Sequence, residues 1–363
     1  MISIEPANEH EDKHNEKRIT ADIAIKNFVI MNHHLEKILA YILDVIIIQI
    51  FTGGFHNMTR KILLSFVLVL VLAVSSFAAV NREVIPLERN GIKLHLECYA
   101  VSKDRDPLLL VHGLTYSSHE FDVNVKDYSL ARYFAKKGFT VYLLDIAGYG
   151  RSQEVEDGFM PNSDYAAEDI AAAARVILDR SGRKSLDVLG WSWGTVTAGR
   201  FAAKYPELVH KLVLYAPIVA GLADVEVKDA FNHNTWIHAA GDFQKTKKGR
   251  INYKITEHEV VNAFQSNCWR YDKDSSPNGG RRDLLVAPDK RLIPTAKLTM
   301  PVLIIAGSKD EYVSPELCKE AFNTLPDKNS RLEIIKGAAH AMMMEKPYYK
   351  TFRSKVLDFL RAN

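Results

Sequence analysis

From about residue 83 onward, two hydrophobic rhythms alternate along the chain. Short unbroken apolar runs, such as "PLLLV" (107–111), "VYLL" (141–144) and "VLIIA" (302–306), are each followed by a longer segment whose apolar residues recur about every 3.6 positions. A strand that is apolar at every position, not at every second one, is buried on both faces. That is the setting of a parallel sheet covered by helices on each side.

Walking the chain gives the expected elements. "EVIPLERNGIKLHLECYAV" is two extended runs joined at Asn90-Gly91, a strong hairpin turn. A buried strand, Leu108 to Val111, ends at His112-Gly113. "YSLARYFAKKG" is a helix closed by Gly138, and "TVYLLD" a second buried strand followed by the turn "IAGYGRS". The alanine-rich helix "YAAEDIAAAARVILDRSG", the strand "SLDVLG", the helix "TVTAGRFAAKYP" and the strand "KLVLYAP" come next. Much later "PVLIIAGS", "SPELCKEAFNTL", "SRLEIIKG" and "YYKTFRSKVLDFLRAN" repeat the strand–helix alternation. The pattern predicts a mostly parallel central sheet with helices on both faces.

Residues 218–299 break the rhythm. They hold no clear apolar strand, but the aromatics Phe231, Trp236, Phe243, Trp269 and Tyr271, the basic stretch "KTKKGR" and the turn-rich "KDSSPNGGRRD". So long a segment is too much for a bare loop, and it is expected to be an inserted helical lid over one edge of the sheet. The chain thus divides into a first core part, 83–217, a lid, 218–299, and a second core part, 300–363.

The segment ahead of the core has a different pattern. Arg60 and Lys61 precede an apolar run from Ile62 to Val74, and Ser76-Phe77-Ala78 follows as a small-x-small exit. Residues 58–78 are therefore expected to be a signal peptide cleaved after Ala78, which sends the protein to the periplasm or outside the cell. Left uncleaved, residues 62–80 nearly span a bilayer and would anchor the chain in a membrane. Residues 1–57 show no domain pattern, and their apolar part, Ile38 to Phe51, is short and contains Asp44. The expectation is an upstream extension or mis-called start, with translation beginning at Met58. The rival is a genuine extension with a second membrane-touching segment.

Composition narrows the function. At 47% hydrophobic and 25% charged the chain is globular, and a net charge of only +3 without a long basic run gives no reason to expect nucleic acid. Cys98, Cys268 and Cys318 stand far apart with no C-x-x-C spacing, so the cysteines indicate neither a zinc site nor, being odd in number, a complete disulfide set. "GYGRS" lacks the spacing of a dinucleotide-binding loop. No cofactor and no metal are expected.

The informative stretch is "VLGWSWGTV" (188–196), with strand before, helix after, and Ser192 flanked by Gly190 and Gly194. G-x-S-x-G at a strand-to-helix turn is a nucleophile elbow: a turn so tight that flanking side chains would clash, lifting the serine hydroxyl clear of the sheet. A serine hydroxyl needs a base. Downstream, Asp310 lies in the loop after "PVLIIAGS" and His340 in the loop after "SRLEIIKG", both at C-terminal strand ends, where open sheets of this kind place their sites. The order Ser, Asp, His suits the fold. The backbone N–H groups of Leu114 and Trp193 are expected to form an oxyanion hole. His112 is expected to hold the loop. Thr115, Phe231, Trp236, Trp269 and Met342 are candidates for a substrate pocket, with lid or core packing as the alternative for each.

Taken in order, "VHGLT", "LLDIAGYGRS", "GWSWG", "AGSKDEYVSP" and "GAAHAMMMEKP" resemble the α/β-hydrolase family over Glu83 to Asn363. The resemblance implies an α/β-hydrolase fold and a serine hydrolase in which Ser192 is the nucleophile, His340 the base and then the acid, and Asp310 the group that orients His340. It implies a small-molecule or lipid ester as substrate: carboxylesterase activity first, then lipase, then an amidase or peptidase of the proline-iminopeptidase type. That type carries a Gly-rich H-G-G-P-G loop where this chain has His112-Gly113-Leu114-Thr115, and dehalogenase-like members carry Asp where this chain has Ser192. The alternative from another class is a non-catalytic binding protein on the same scaffold.

Overall fold

The computed structural model describes residues 79–102 and 105–362. The expected signal peptide at 58–78, the membrane anchor through 62–80 except its last two residues, and the extension at 1–57 lie outside them. Among the described residues, no helix is long and apolar enough to cross a membrane.

The described part opens on a hairpin of β1 (Asn81–Arg89) and β2 (Ile92–Ala100), paired in register from Asn81 opposite Ala100 to Arg89 opposite Ile92. Asn90 and Gly91 turn it with φ of 52° and 79°, the left-handed pair that matches strand twist and that Asn-Gly adopts at low cost. The alternation then runs β3 (Asp106–Val111), α1 (Leu130–Lys136), β4 (Phe139–Asp145), α2 (Ser163–Ser181), β5 (Leu186–Trp191), α3 (Trp193–Lys204) and β6 (Val209–Tyr215). Side chains and a glycine cap the helices. Ser129 accepts from Arg132 N at the start of α1, Asn162 accepts from Asp164 N and Tyr165 N at the start of α2, and Gly182 closes α2 at φ 64°.

An insertion follows, with β7 (Phe231–His233), α4 (His258–Tyr271), β8 (Ser275–Pro277) and α5 (Gly279–Leu284). The chain then returns to the sheet through β9 (Val302–Gly307), α6 (Pro315–Asn323), β10 (Arg331–Ile335) and α7 (Tyr349–Arg361). The eight core strands form one sheet in the order β1-β2-β4-β3-β5-β6-β9-β10. β2 pairs antiparallel with both β1 and β4, and all other pairs are parallel. This is an α/β-hydrolase fold. Every residue of β5 and β9 is buried, which is why β9 is apolar without alternation. The edge strand β10 is half exposed and carries Arg331 and Glu333.

The insertion differs from the expected helical lid. It holds only two α-helices and a three-residue ribbon in which Phe231 pairs with Pro277 and His233 with Ser275. The stretch between β6 and α4 is irregular, because it has no 3.6-residue apolar repeat to lay on the core. Isolated backbone bonds hold it instead, such as Gly221 N to Lys290 O (3.0 Å) and Asn234 N to Asp274 O (2.7 Å). Asp272, just past α4, fastens the insertion to the core by accepting from Ser117 N and Oγ and from Gly150 N.

Leu189, fully buried in β5, tests the packing. Leu189→Ala is expected to cost about 2–5 kcal/mol through lost contacts and the cavity left behind. The urea midpoint should fall with an unchanged denaturant slope.

Candidate active site

The C-terminal ends of the parallel strands carry the residues singled out by the sequence. β5 ends and α3 begins at Ser192, whose backbone sits at φ 56°, ψ −121°. This is a costly conformation for a residue with a Cβ, of order 1–3 kcal/mol, kept only where the surroundings enforce it. They do so here by contact. A Cβ on Gly190 would lie 2.2 Å from Gly194 O, and one on Gly194 2.4 Å from Val111 O and 2.6 Å from His112 O. Ser192 N–H donates to Tyr215 O at 3.0 Å, tying the turn to β6. The N-terminal end of α3 starts immediately after the serine, so its unpaired N–H groups and partial positive charge lie beside the hydroxyl.

His340 and Asp310 come together although thirty positions separate them. Asp310 Oδ2 lies 2.8 Å from His340 Nδ1, both side chains are buried, and Asp310 Oδ1 accepts from Tyr312 N (2.9 Å) and Val313 N (3.2 Å). That pairing turns Nε2 to the other side of the ring. The His340 carbonyl accepts from the Tyr215 hydroxyl at 2.7 Å and from Trp191 Nε1 at 3.2 Å, so the strands beside Ser192 also grip the histidine loop. Burial disfavours the imidazolium, but the charge and hydrogen bond of Asp310, with Asp242 nearby, outweigh it and raise the His340 pKa above its ordinary value. Ser192 and His340 line one cavity of about 140 Å³ and are not hydrogen-bonded to each other.

Gly113, Leu114 and Thr115 also line that cavity. Trp193 is the first helical residue of α3, so its N–H has no partner within the helix. Its indole is fully buried and donates to Ser163 Oγ at 2.9 Å. His112 clamps the loop, with Nδ1 at 2.8 Å from Gly113 O and Nε2 accepting from Ile146 N at 3.1 Å. Of the pocket candidates, Thr115 lines the cavity and the other four do not. Trp236 and Trp269, 42% and 41% exposed, pack edge to face on each other at the surface of the insertion. Phe231, 38% exposed, lies over Gly158. Met342 is fully buried in the core. An aromatic or methionine in an irregular segment is as readily surface or core as pocket, and sequence alone does not separate these.

Several groups lining or beside the cavity escaped the sequence reading. Glu120 Oε1 accepts the Gly113 N–H at 2.7 Å, and burial raises its pKa well above the carboxylate range. Asp242 and Arg281 come from the insertion and face the same cavity. Burial raises the Asp242 pKa and lowers that of Arg281. Glu345, buried behind His340, accepts from Ala339 N at 3.0 Å, and burial pushes its pKa up to about 7.

With this geometry in hand, comparison with known proteins is informative. A family model described as "Serine aminopeptidase, S33" matches residues 102–347. The chain belongs to this family, and it is an α/β-hydrolase family hydrolase. It is 33% identical over 279 residues to serine hydrolase BPHL of Homo sapiens, covering 75% of this chain and 84% of that protein. It is 24% identical over 296 residues to poly(3-hydroxyalkanoate) polymerase subunit PhaC of Haloferax mediterranei, covering 70% of this chain but only 58% of that relative. Among solved structures, naproxen esterase (carboxylesterase NP) of Bacillus subtilis shares the fold with a TM-score of 0.52 and 18% identity, over 81% of this chain and 96% of that one.

The raised carboxyls give the fold a pH signature. Burial lifts Glu345 from 4.5 to about 7 and Asp272 from 3.8 to about 7. Between those values the folded chain holds protons that the unfolded chain has released. The stability these two carboxyls contribute is therefore expected to fall as pH rises from about 4 and to be lost above about 7. Glu345→Gln, which keeps an acceptor for Ala339 N, should flatten part of that fall in thermal midpoints measured across the window.

Proposed function

We propose that this hydrolase cleaves carboxylic esters through an acyl-enzyme at Ser192. The observation that supports the reading most is the strained, exposed-hydroxyl turn at Ser192 opening on the same cavity as the buried His340–Asp310 pair. In this reading, substrate binding brings Ser192 Oγ within hydrogen-bond reach of His340 Nε2. As Oγ bonds to the ester carbon, Nε2 takes its proton, and the tetrahedral oxyanion is held by the N–H groups of Leu114 and Trp193. Collapse breaks the ester C–O bond, and His340 returns the proton to the leaving alkoxide. His340 then deprotonates a water, which attacks the acyl carbon and releases the acid and Ser192. Asp310 fixes the tautomer and favours the imidazolium that forms.

The small cavity suits a short acyl group. The carboxyl of Asp242 favours one second reading, an amidase or aminopeptidase whose substrate ammonium it would accept. We rank it lower, because burial holds Asp242 toward its neutral form and Glu120 is already committed to Gly113 N–H.

Ser192→Ala is expected to reduce kcat on p-nitrophenyl butyrate by at least about 10⁴-fold, and Asp310→Asn by about 10⁴-fold with a folded protein in each case. Unchanged turnover in Ser192→Ala contradicts the nucleophile assignment. A higher kcat/KM on leucine p-nitroanilide than on the ester contradicts the ester reading. Since His340 must be neutral to act as base, kcat/KM should fall as pH drops through a pKa above the ordinary histidine value of 6.5.

A further inference from the structure

Away from the Ser192 cavity, a second cluster of ligand-bearing side chains is buried against the sheet. His95 and Glu97 are two apart on β2, so both project from the same face of the strand. The 3₁₀ turn Ser118–Phe121 brings His119 against them. The three are 8%, 4% and 3% exposed, and one ligand atom of each lies within 4.8 Å of the others. His95 Nε2 is 4.0 Å and His119 Nε2 3.9 Å from the same oxygen, Glu97 Oε2. Both distances exceed a hydrogen bond, and both ring nitrogens are buried with no hydrogen-bond partner among the described residues. A buried polar atom left unpaired is costly, and two of them facing one carboxylate oxygen call for a common partner.

We propose that His95, Glu97 and His119 bind a divalent metal ion of the zinc type, through Nε2 of each imidazole and Oε2 of the carboxylate, with water as a fourth ligand. The surroundings orient these atoms for the role. Glu97 Oε1 is occupied by Arg82, with Nη2 at 2.7 Å and Nε at 2.9 Å, which leaves Oε2 toward the imidazoles with only the Tyr99 hydroxyl, at 3.3 Å, beside it. His119 Nδ1 faces Ser117 Oγ at 3.5 Å and Asp145 Oδ2 at 3.9 Å, and its ring stacks on Tyr271 at 3.5 Å. A hydroxyl and a carboxylate at Nδ1 favour the tautomer whose lone pair is on Nε2, the outer arrangement common to metal-bound histidines. Two imidazoles and one carboxylate suit zinc better than magnesium or calcium, which prefer all-oxygen sites. At ligand distances of about 2.0–2.1 Å, tetrahedral neighbours lie about 3.4 Å apart. The two imidazole nitrogens therefore each close on Glu97 Oε2 by about half an ångström on binding.

None of the three lines the Ser192 cavity, so the site is structural and stands whether or not Ser192 is the nucleophile. The ion joins β2 to the turn that carries Glu120, whose carboxyl holds Gly113 N–H. Through Tyr271 it also backs the end of α4. It reinforces the loop wall of the cavity from outside.

The test uses the full chain, stripped of metal by chelation and then titrated with Zn²⁺ by isothermal titration calorimetry and with Co²⁺ by visible absorbance. The wild type is expected to bind one ion per chain more than either His119→Gln or Glu97→Gln. It should also show a tetrahedral cobalt band that both variants lose, and a zinc-dependent rise in thermal midpoint that both variants lack. Circular dichroism establishes that each variant is folded; Glu97→Gln keeps an acceptor for Arg82, and the Tyr99 hydroxyl keeps Asp122 Oδ2, at 3.1 Å, as its acceptor. Equal stoichiometry and equal thermal shift in wild type and folded variants overturn the proposal, as does a wild type that binds no zinc. The imidazoles then share a trapped water, whose hydrogen bonds of about 2.8 Å would bridge the same gap.

Discussion

The backbone at Ser192 is the constraint on which the site depends. A residue with a Cβ is held at φ 56° between a buried strand and a buried helix, and it stays there because no relaxed path fits. Gly190 touches Gly194, and Gly194 touches the carbonyls of β3. The approach is closer than any side chain would allow, so β3, β5 and α3 are packed to backbone contact at one point. That contact sets the loop at 112–115 against the serine. It also aims the start of α3 at the place where charge would develop in acyl transfer.

The rest of the site is fastened to the same two strands. Trp191, one residue before the serine, and Tyr215, at the end of β6, both donate to the His340 carbonyl, and Tyr215 O receives the Ser192 N–H. The histidine loop is thus positioned by the strands that position the serine, not only by Asp310. Glu345 adds a support from behind through Ala339 N. Distances set by sheet register are stiff, which is what proton transfer over a fixed geometry requires.

Much of this was legible in the sequence where a local physical rule dictates the residue. The Asn90-Gly91 turn, the doubly buried strands and the glycines around Ser192 each answer to a backbone or burial requirement that only a few residue types meet. Asp310 and His340 could be placed because they follow strands, and strand ends share one edge of a parallel sheet. What the sequence hid depends on contacts between distant segments without periodicity. Asp242 and Arg281 reach the cavity from an insertion held by scattered backbone bonds. Glu120 is distinguished only by the one N–H it receives. The aromatics Phe231, Trp236 and Trp269 looked like pocket walls by type, yet the insertion turns them outward or onto each other. His95 and Glu97 show the strand spacing of two plainly, but nothing local announces that His119 folds onto them.

The most direct measurement of the central claim is to treat the protein with a fluorophosphonate and map the modified peptide by mass spectrometry. The account predicts a single stoichiometric adduct on Ser192, formed faster as pH rises through the His340 titration. A folded protein that remains unmodified, or that carries the adduct on another residue, would contradict it.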